Sequence, residues 1–338
     1  MVKPIQISVV IPVYNMGEFL PQLVGSLVRS GMMDLATEVI LVDDGSTDDT
    51  PQIAQDLSKQ DSRVRLLRLE ENRGRYIARL RGAQAATTKH ILFIDARIEL
   101  APDFATQLQQ YWRDSDFLQP QARIDVSRNL FCLYWDRSHR AIFRRHFKDM
   151  AAGPIDLTPQ NYEQYLKGTT AVLMPKVLFL NACHAMGPTA LLSDDTALMR
   201  RMVETQPLRL APNLWYWWVP RETLSAFLWR LYDRGPGLVE YHVFQQRGWI
   251  FKAIVLGSML LALWLSLLVA EPKVAFGALI STIILMALSA RWLAQNWKEG
   301  LKLAPLHVAV LFAVGLGVLK GLAVNTVRWI KGEIKWAP

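Results

Sequence analysis

Residues 254–270, IVLGSMLLALWLSLLVA, carry no charge, and with their flanks they are long enough to cross a hydrocarbon core of roughly 30 Å. Charged residues run steadily up to about residue 252, so the 338-residue chain reads as a soluble N-terminal domain followed by a membrane domain. A second apolar segment over about 274–290, joined to the first by the short EPK, makes a two-helix hairpin that returns the chain to its starting side. Arg291, Lys298 and Lys302 then satisfy the positive-inside rule. A third apolar segment, about 304–324, is long enough to span, but crossing would place Arg328, Lys331 and Lys335 outside, against that rule. A re-entrant or interfacial course fits the charges better, and the sequence leaves both open. Lys320, Arg328, Lys331 and Lys335 recur at near-helical spacing, as a basic face on anionic lipid would. The expected divisions are 1–220, a cytosolic domain; 221–251, an interfacial amphipathic segment; and 252–338, a membrane domain with two or three hydrophobic helices and a basic tail.

The formal charge of +8 is compatible with nucleic acid, anionic lipid or an anionic substrate. Much of the excess lies close to the hydrophobic segments, at residues such as Arg247, Lys252 and Arg291, which favours lipid headgroups and speaks against nucleic acid. Cys132 and Cys183 are the only cysteines, and two reduced thiols are expected. The opening MVKPIQISVV has too short an apolar run for a signal peptide, so the N-terminal domain is expected to stay in the cytosol.

Within that domain QISVVIPVY (6–14) reads as a buried strand, and EFLPQLVGSLVRSG as a helix with a glycine stop. TEVILVDDGSTDDT is a second strand breaking into an acidic turn; RVRLLRL is a third strand, GRYIARLRGAQAA a helix, and HILFID a fourth strand. Nearly continuous apolar strands alternating with helices imply an α/β fold with a Rossmann-like parallel sheet covered on both faces. Ligands of such sheets gather beyond the carboxyl ends of the strands, where this chain places Tyr14, Asp43, Asp44 and Asp95. There is no G-x-G-x-x-G after the first strand and no P-loop, so a dinucleotide oxidoreductase and a P-loop NTPase lose their main support.

SVVIPVYN, EVILVDDGSTDDT, NRGRYIAR and an acid closing the fourth strand together resemble the inverting family-2 glycosyltransferases of GT-A fold, over roughly residues 6–240. The nearest type by resemblance is the membrane-anchored exopolysaccharide glucosyltransferases of the succinoglycan kind. The resemblance implies a nucleotide-diphosphate sugar donor, with Pro12 and Tyr14 lining the base pocket, Asp44 accepting from the base edge and Arg79 approaching the nucleotide. Asp95 matches the first acid of the family's D-x-D motif at the ribose and diphosphate. KGTTAVLMPKVLFL (167–180) resembles the acceptor floor, and in LLSDDTALMRRM the pair Asp194 and Asp195 matches the acids of which the second is the general base. A sugar hydroxyl is a poor nucleophile at neutral pH, and a carboxylate that takes its proton contributes on the order of 10² to 10⁴ in rate. Taken without the family, the same acids read as helix caps and acidic turns.

In D-x-D the last acid holds a divalent ion that stabilises the departing diphosphate. Here the motif reads Asp95-Ala96-Arg97. Either Mg²⁺ or Mn²⁺ is held by Asp95 and water, or the Arg97 guanidinium neutralises the diphosphate itself; the expectation is a retained, weakly held metal at Asp95. In RETLSAFLWRLYDRGPG only Arg234 matches the Q-x-x-R-W of processive synthases, so Arg234 is a candidate diphosphate clamp and one sugar per encounter is expected. DRSHRAIFRRHFK, with His139 and His146, lacks zinc spacing and reads as a basic surface. NLWYWWVP reads as sugar stacking, headgroup contact or ordinary strand packing.

A water-soluble donor needs no membrane, whereas a polyprenyl-linked acceptor lives in one, and an anchor raises its effective concentration. The leading reading is therefore a multi-pass enzyme of the plasma (inner) membrane that extends a lipid-linked glycan in surface polysaccharide assembly. Two others stand beside it: a polyprenyl-phosphate sugar synthase, and a non-catalytic scaffold that binds nucleotide sugar in a membrane complex.

Overall fold

The computed structural model describes residues 5–112, 116–186, 194–244 and 248–334; of Asp194 and Asp195 it describes the backbone alone. The strands are β1 (Ile7–Val13), β2 (Ala36–Asp43), β3 (Val64–Arg68), β4 (His90–Ile94), β5 (Ile98–Leu100), β6 (Leu118–Arg123), β7 (Ile155–Leu157), β8 (Ala171–Pro175) and β9 (Leu208–Trp218). The helices are α1 (Leu20–Arg29), α2 (Met32–Leu35), α3 (Thr50–Gln60), α4 (Arg75–Ala85), α5 (Phe104–Tyr111), α6 (Leu130–Ile142), α7 (Arg144–Ala152), α8 (Lys176–Met186), α9 (Asp194–Val203), α10 (Leu224–Asp233), α11 (Gly235–Val239), α12 (Gly248–Ala270), α13 (Pro272–Leu293) and α14 (Trp297–Ile330). The chain divides into two compact units, Met1–Asp125 with Arg145–Val219, and Val126–Arg144 with Pro220–Pro338.

The first unit is built on one mixed sheet in the order β3-β2-β1-β4-β8-β6-β9-β5, with β7 on β9. β1 pairs in parallel with β2 and β4, and β2 with β3; β8 then runs antiparallel to β4. The parallel half is the part whose strands read as unbroken apolar runs. β1 shows no alternation, with Ile7, Val9, Val10 and Ile11 all fully buried, because helices cover both faces. Leu20, Leu23 and Leu27 recur on one side of α1 and are fully buried in the core, each worth roughly 1.5–3 kcal/mol relative to exposure. The helix stops before Gly31, whose φ of 72° suits glycine.

A polar network ties the amino ends of β1 and β2 together. Glu38 accepts from the hydroxyls of Ser8 and Thr87 at 2.7 and 2.6 Å and from Arg65 Nε at 2.8 Å. Burial works against its ionised form, yet these hydrogen bonds win and hold its carboxyl at about 2.

The second unit joins α6 to α10–α14. Tyr134 and Ala141 of α6 pack with Phe227, Ala290, Leu293, Leu303, Leu306 and Val310. The Tyr134 hydroxyl meets His307 Nδ1 at 2.7 Å, and the other ring nitrogen meets Ser289 Oγ at 2.9 Å. Asn296 caps α14 by accepting from the Glu299 backbone N–H at 2.9 Å, and the Glu299 side chain accepts from the Gln295 N–H at 3.4 Å.

Among the described residues three helices are long and apolar enough to cross a membrane: Phe251–Ala270, Pro272–Leu293 and Trp297–Ile330. The third apolar segment is thus the middle of a continuous helix of 34 residues. Lys320 and Arg328, two cations of the expected basic face, are paired within the chain. Lys320 lies 3.3 Å from Asp233 and Arg328 3.1 Å from Glu240, so both have internal carboxylate partners that sequence spacing alone does not reveal. Lys331 is exposed, whereas Arg247 and Lys335 lie outside the described residues.

Candidate active site

Parallel pairing brings the strand ends of the first unit to one edge: Val13 is opposite Asp43, and Val10 opposite Phe93, so Tyr14, Asp44 and Asp95 follow at the same end of the sheet. Pro12 is half-buried there and Tyr14 is 41 % exposed. Asn15 takes a left-handed φ of 50°, held by its N–H on Ser46 Oγ and by its side-chain oxygen on the Thr47 N–H, both at 2.9 Å. The β1 and β2 loops are thereby fastened to each other.

The two acids of VDDGS have different tasks. Asp43 is fully buried and accepts from the Ser46 N–H at 3.0 Å, closing the turn. Asp44 accepts from the backbone N–H of Arg73 at 2.9 Å, and burial raises its carboxyl above the ordinary range while the N–H groups of Arg73 and Gly74 pull it down. Gly45, with φ 71°, sits so close to the segment 71–72 that a Cβ would stand 2.5 Å from the Glu71 carbonyl carbon. Only glycine lets the acidic turn and the NRG segment meet.

Asp95 follows β4, and its backbone N–H donates to the Thr170 carbonyl at 2.8 Å, just ahead of β8. Arg79, 3 % exposed in α4, places Nη2 3.0 Å from Asp95 Oδ1 and 3.4 Å from the Thr169 carbonyl. Tyr216 of β9 adjoins them: burial, then the charge of Asp95, raises its hydroxyl, which bonds to Thr170. NLWYWWVP therefore packs as a strand, while one of its rings reaches the acid.

Arg97 donates Nε to the Val219 carbonyl at 3.0 Å, receives the Val219 N–H on its own carbonyl at 3.1 Å, and lies 4.5 Å from the Phe19 ring centroid. It fastens the end of β9. Among the described residues no group of three or more His, Cys, Asp or Glu side chains could hold a metal. Asp95 is a one-third exposed carboxylate at this edge, where Asp44 is buried, so a divalent ion would fit at Asp95 by taking most of its ligands from phosphate and water.

Asp194 and Asp195 occupy the first two positions of α9; their side chains, with residues 187–193, lie outside the described residues. The helix itself is held from a segment with no motif. The Tyr162 hydroxyl donates to the Thr196 carbonyl at 2.8 Å, and Arg200 lies 3.2 Å from Glu163. Lys167 packs over the Tyr162 ring, and burial lowers its ammonium to about 8. Tyr162 and Tyr216 escape sequence reading because their partners, Thr196 and Thr170, lie far along the chain.

Arg234 belongs to the second unit, where its guanidinium lies 5.6 Å from the Trp135 ring centroid. His139 bonds to the Trp135 carbonyl, and burial holds its ring at about 4, so it is neutral near pH 7.

Strand ends that carry an acidic turn and Asp95, on a parallel sheet continued by antiparallel strands, have the arrangement of a GT-A fold. The chain belongs to glycosyl transferase family 2, whose profile matches residues 8–203. It is 34 % identical over 120 residues to the uncharacterized glycosyltransferase YibD of Escherichia coli K12, covering 36 % of this chain and 34 % of that protein. It is also 34 % identical over 100 residues to an undecaprenyl-phosphate 4-deoxy-4-formamido-L-arabinose transferase of Proteus mirabilis, covering 29 % and 31 %. The chain thus spans about a third of the length of these relatives. The mannosyltransferase PcManGT of Pyrobaculum calidifontis, solved with GDP-Man and Mn²⁺, superposes with a TM-score of 0.62 at 16 % identity, covering 94 % of this chain and 86 % of that one.

Proposed function

We propose that the protein transfers a sugar, with inversion, from a nucleotide-diphosphate donor to a hydroxyl of a lipid-linked glycan, with Asp195 as general base. Residues 1–220 form the cytosolic catalytic domain, 221–251 an interfacial segment and 252–338 the anchor of a multi-pass enzyme of the plasma (inner) membrane that serves surface polysaccharide assembly. The observation that carries this reading is the strand-end edge at which buried Arg79 pairs with Asp95 and the Asp44 turn follows the same end of the sheet.

Pro12, Tyr14 and Asp44 take the base, and Asp95 faces the ribose and diphosphate. Arg79 fixes the rotamer of Asp95. Asp195 accepts the proton of the acceptor hydroxyl as its oxygen attacks the anomeric carbon from the face opposite the diphosphate, so one C–O bond forms as the other breaks. Bound Mg²⁺ or Mn²⁺ would lie on Asp95 and supply positive charge for the departing diphosphate. The ion in PcManGT supports that choice, and chelation tests it: activity undiminished in EDTA removes the metal.

The Proteus relative, named for an undecaprenyl-phosphate substrate, favours a second reading in which the acceptor is the lipid phosphate itself. A phosphate nucleophile is already ionised and has little use for a base. Membranes incubated with radiolabelled nucleotide sugars should pass label into the organic-extractable fraction. Asp195→Asn should abolish that transfer if the acceptor is a hydroxyl and leave it largely intact if it is a phosphate. No label from any donor, with no nucleotide-sugar binding by calorimetry, would favour the scaffold.

A further inference from the structure

We propose that α14, although long and apolar enough to span, does not cross the bilayer. It lies in the interfacial layer across the base of the α12–α13 hairpin, its outward apolar face resting on lipid. This rests on the reading of α12 and α13 as a membrane-crossing hairpin.

The first observation is what accompanies α14. Phe227 of α10 clusters with Leu303, Leu306 and Val310 near its start. Further along, a Cβ on Gly317 would stand 2.6 Å from the Tyr232 carbonyl oxygen, and one on Gly321 2.5 Å from that of Gly235. Asn325, fully buried, donates to the Pro236 carbonyl at 2.8 Å, and Arg328 pairs with Glu240. Residues 227–240 thus run beside α14 from about residue 303 to 328, in the same direction. That companion carries Arg230, Asp233, Arg234 and Glu240, too many charges for a hydrocarbon core. Had α14 crossed, this segment would have to cross with it.

The second observation is what the two ends of α14 share with the hairpin. Its first turns pack on Ala290 and Leu293, at the end of α13. Its later turns, at Val318 and Leu322, pack against the cluster of Val239, Val243 and Phe244, and the start of α12, at Phe251 and Ile254, packs against that same cluster. The start of one hairpin helix and the end of the next lie on the same side of a membrane, so α14 joins two points at one level. Trp264 Nε1 bonds to the Ala275 carbonyl at 3.0 Å near the far tip, which fixes the hairpin's pairing.

The third is the exposed face. Trp297, Leu301, Phe312, Leu316, Val327 and Ile330 are all exposed at near-helical spacing along the whole length. The occupant we assign is the bilayer interface, because this face continues from two helices that are apolar all round. At 34 residues α14 is about 51 Å long, well beyond a ~30 Å core, whereas an interfacial helix has no such limit. The arrangement also returns Arg328 and Lys331 to the side of Arg291, Lys298 and Lys302, as the positive-inside rule asks.

The test uses the full chain with single cysteines at exposed positions, Glu271→Cys at the hairpin tip, Gln295→Cys before α14 and Glu333→Cys after it. Cys132 and Cys183 are buried, which keeps background labelling low. A membrane-impermeant maleimide is applied to right-side-out and inside-out vesicles. Gln295→Cys and Glu333→Cys should react in the same orientation, and Glu271→Cys in the opposite one. Glu333→Cys reacting together with Glu271→Cys would overturn the proposal. Glu271→Cys reacting together with Gln295→Cys would instead remove the hairpin reading on which it rests. As a second measurement, a fluorescent protein that matures only in the cytosol, fused behind Pro338, should be bright; a full-length but dark fusion overturns the proposal.

Discussion

Replacing Arg79 by leucine probes the ion pair at the proposed donor site. Its guanidinium, 3 % exposed, stands 3.0 Å from an Asp95 oxygen, while the Asp95 side chain is 33 % exposed. At an effective dielectric of about 20 the bare attraction at this separation is roughly 5 kcal/mol, most of it offset by desolvating the arginine. A charge-assisted hydrogen bond nets about 1.5–3 kcal/mol, and the solvent reaching Asp95 reduces that to about 1–2 kcal/mol. A double-mutant cycle of Arg79→Leu and Asp95→Asn, read by denaturant unfolding of the detergent-solubilised chain, should return a coupling of that size. Calorimetry should show Arg79→Leu weakening nucleotide-sugar binding about tenfold, equivalent to about 1.4 kcal/mol. Coupling below about 0.3 kcal/mol, within the error of additivity, together with unchanged donor affinity, would refute the idea that Arg79 sets the acid.

Asp195→Asn should lower turnover with a hydroxyl acceptor by about 10² to 10⁴ while calorimetric donor affinity stays within twofold; matched losses in both would point to a folding defect. Tyr162→Phe removes the hydroxyl that holds the Thr196 carbonyl, and kcat should fall several-fold with donor Kd unchanged, as measured by initial rates and calorimetry. Glu38, at about 2 when folded against an ordinary 4.5, contributes stability that is fully present above pH 4.5 and is lost as the pH falls toward 2. Denaturant midpoints should therefore drop across that window in the natural chain and change less in Glu38→Gln.

The parallel half of the sheet was legible because β1, β2 and β4 bury both faces, and a run such as SVVIPV has no other stable use. Asp44 and Asp95 could be placed at strand ends for the same reason. Tyr216 and Tyr162 could not, since their partners Thr170 and Thr196 lie 46 and 34 residues away and no local pattern encodes them. For Lys320 and Arg328, helical spacing gives the face a cation occupies, not the acid brought against it from residues 233 and 240. The grouping of Val126–Arg144 with the C-terminal unit was likewise invisible, because DRSHRAIFRRHFK looks like a solvated basic helix until Tyr134 and Ala141 meet their partners.

That interleaving has a consequence for how such enzymes diversify. A chain cut after Val219 keeps α6 but loses Phe227, Leu303 and Leu306, leaving a greasy flank open to water in the middle of what remains. The anchor is therefore not a cassette that one recombination event could exchange. Any lineage that trades it for another must rewrite a stretch embedded within the catalytic sequence at the same time.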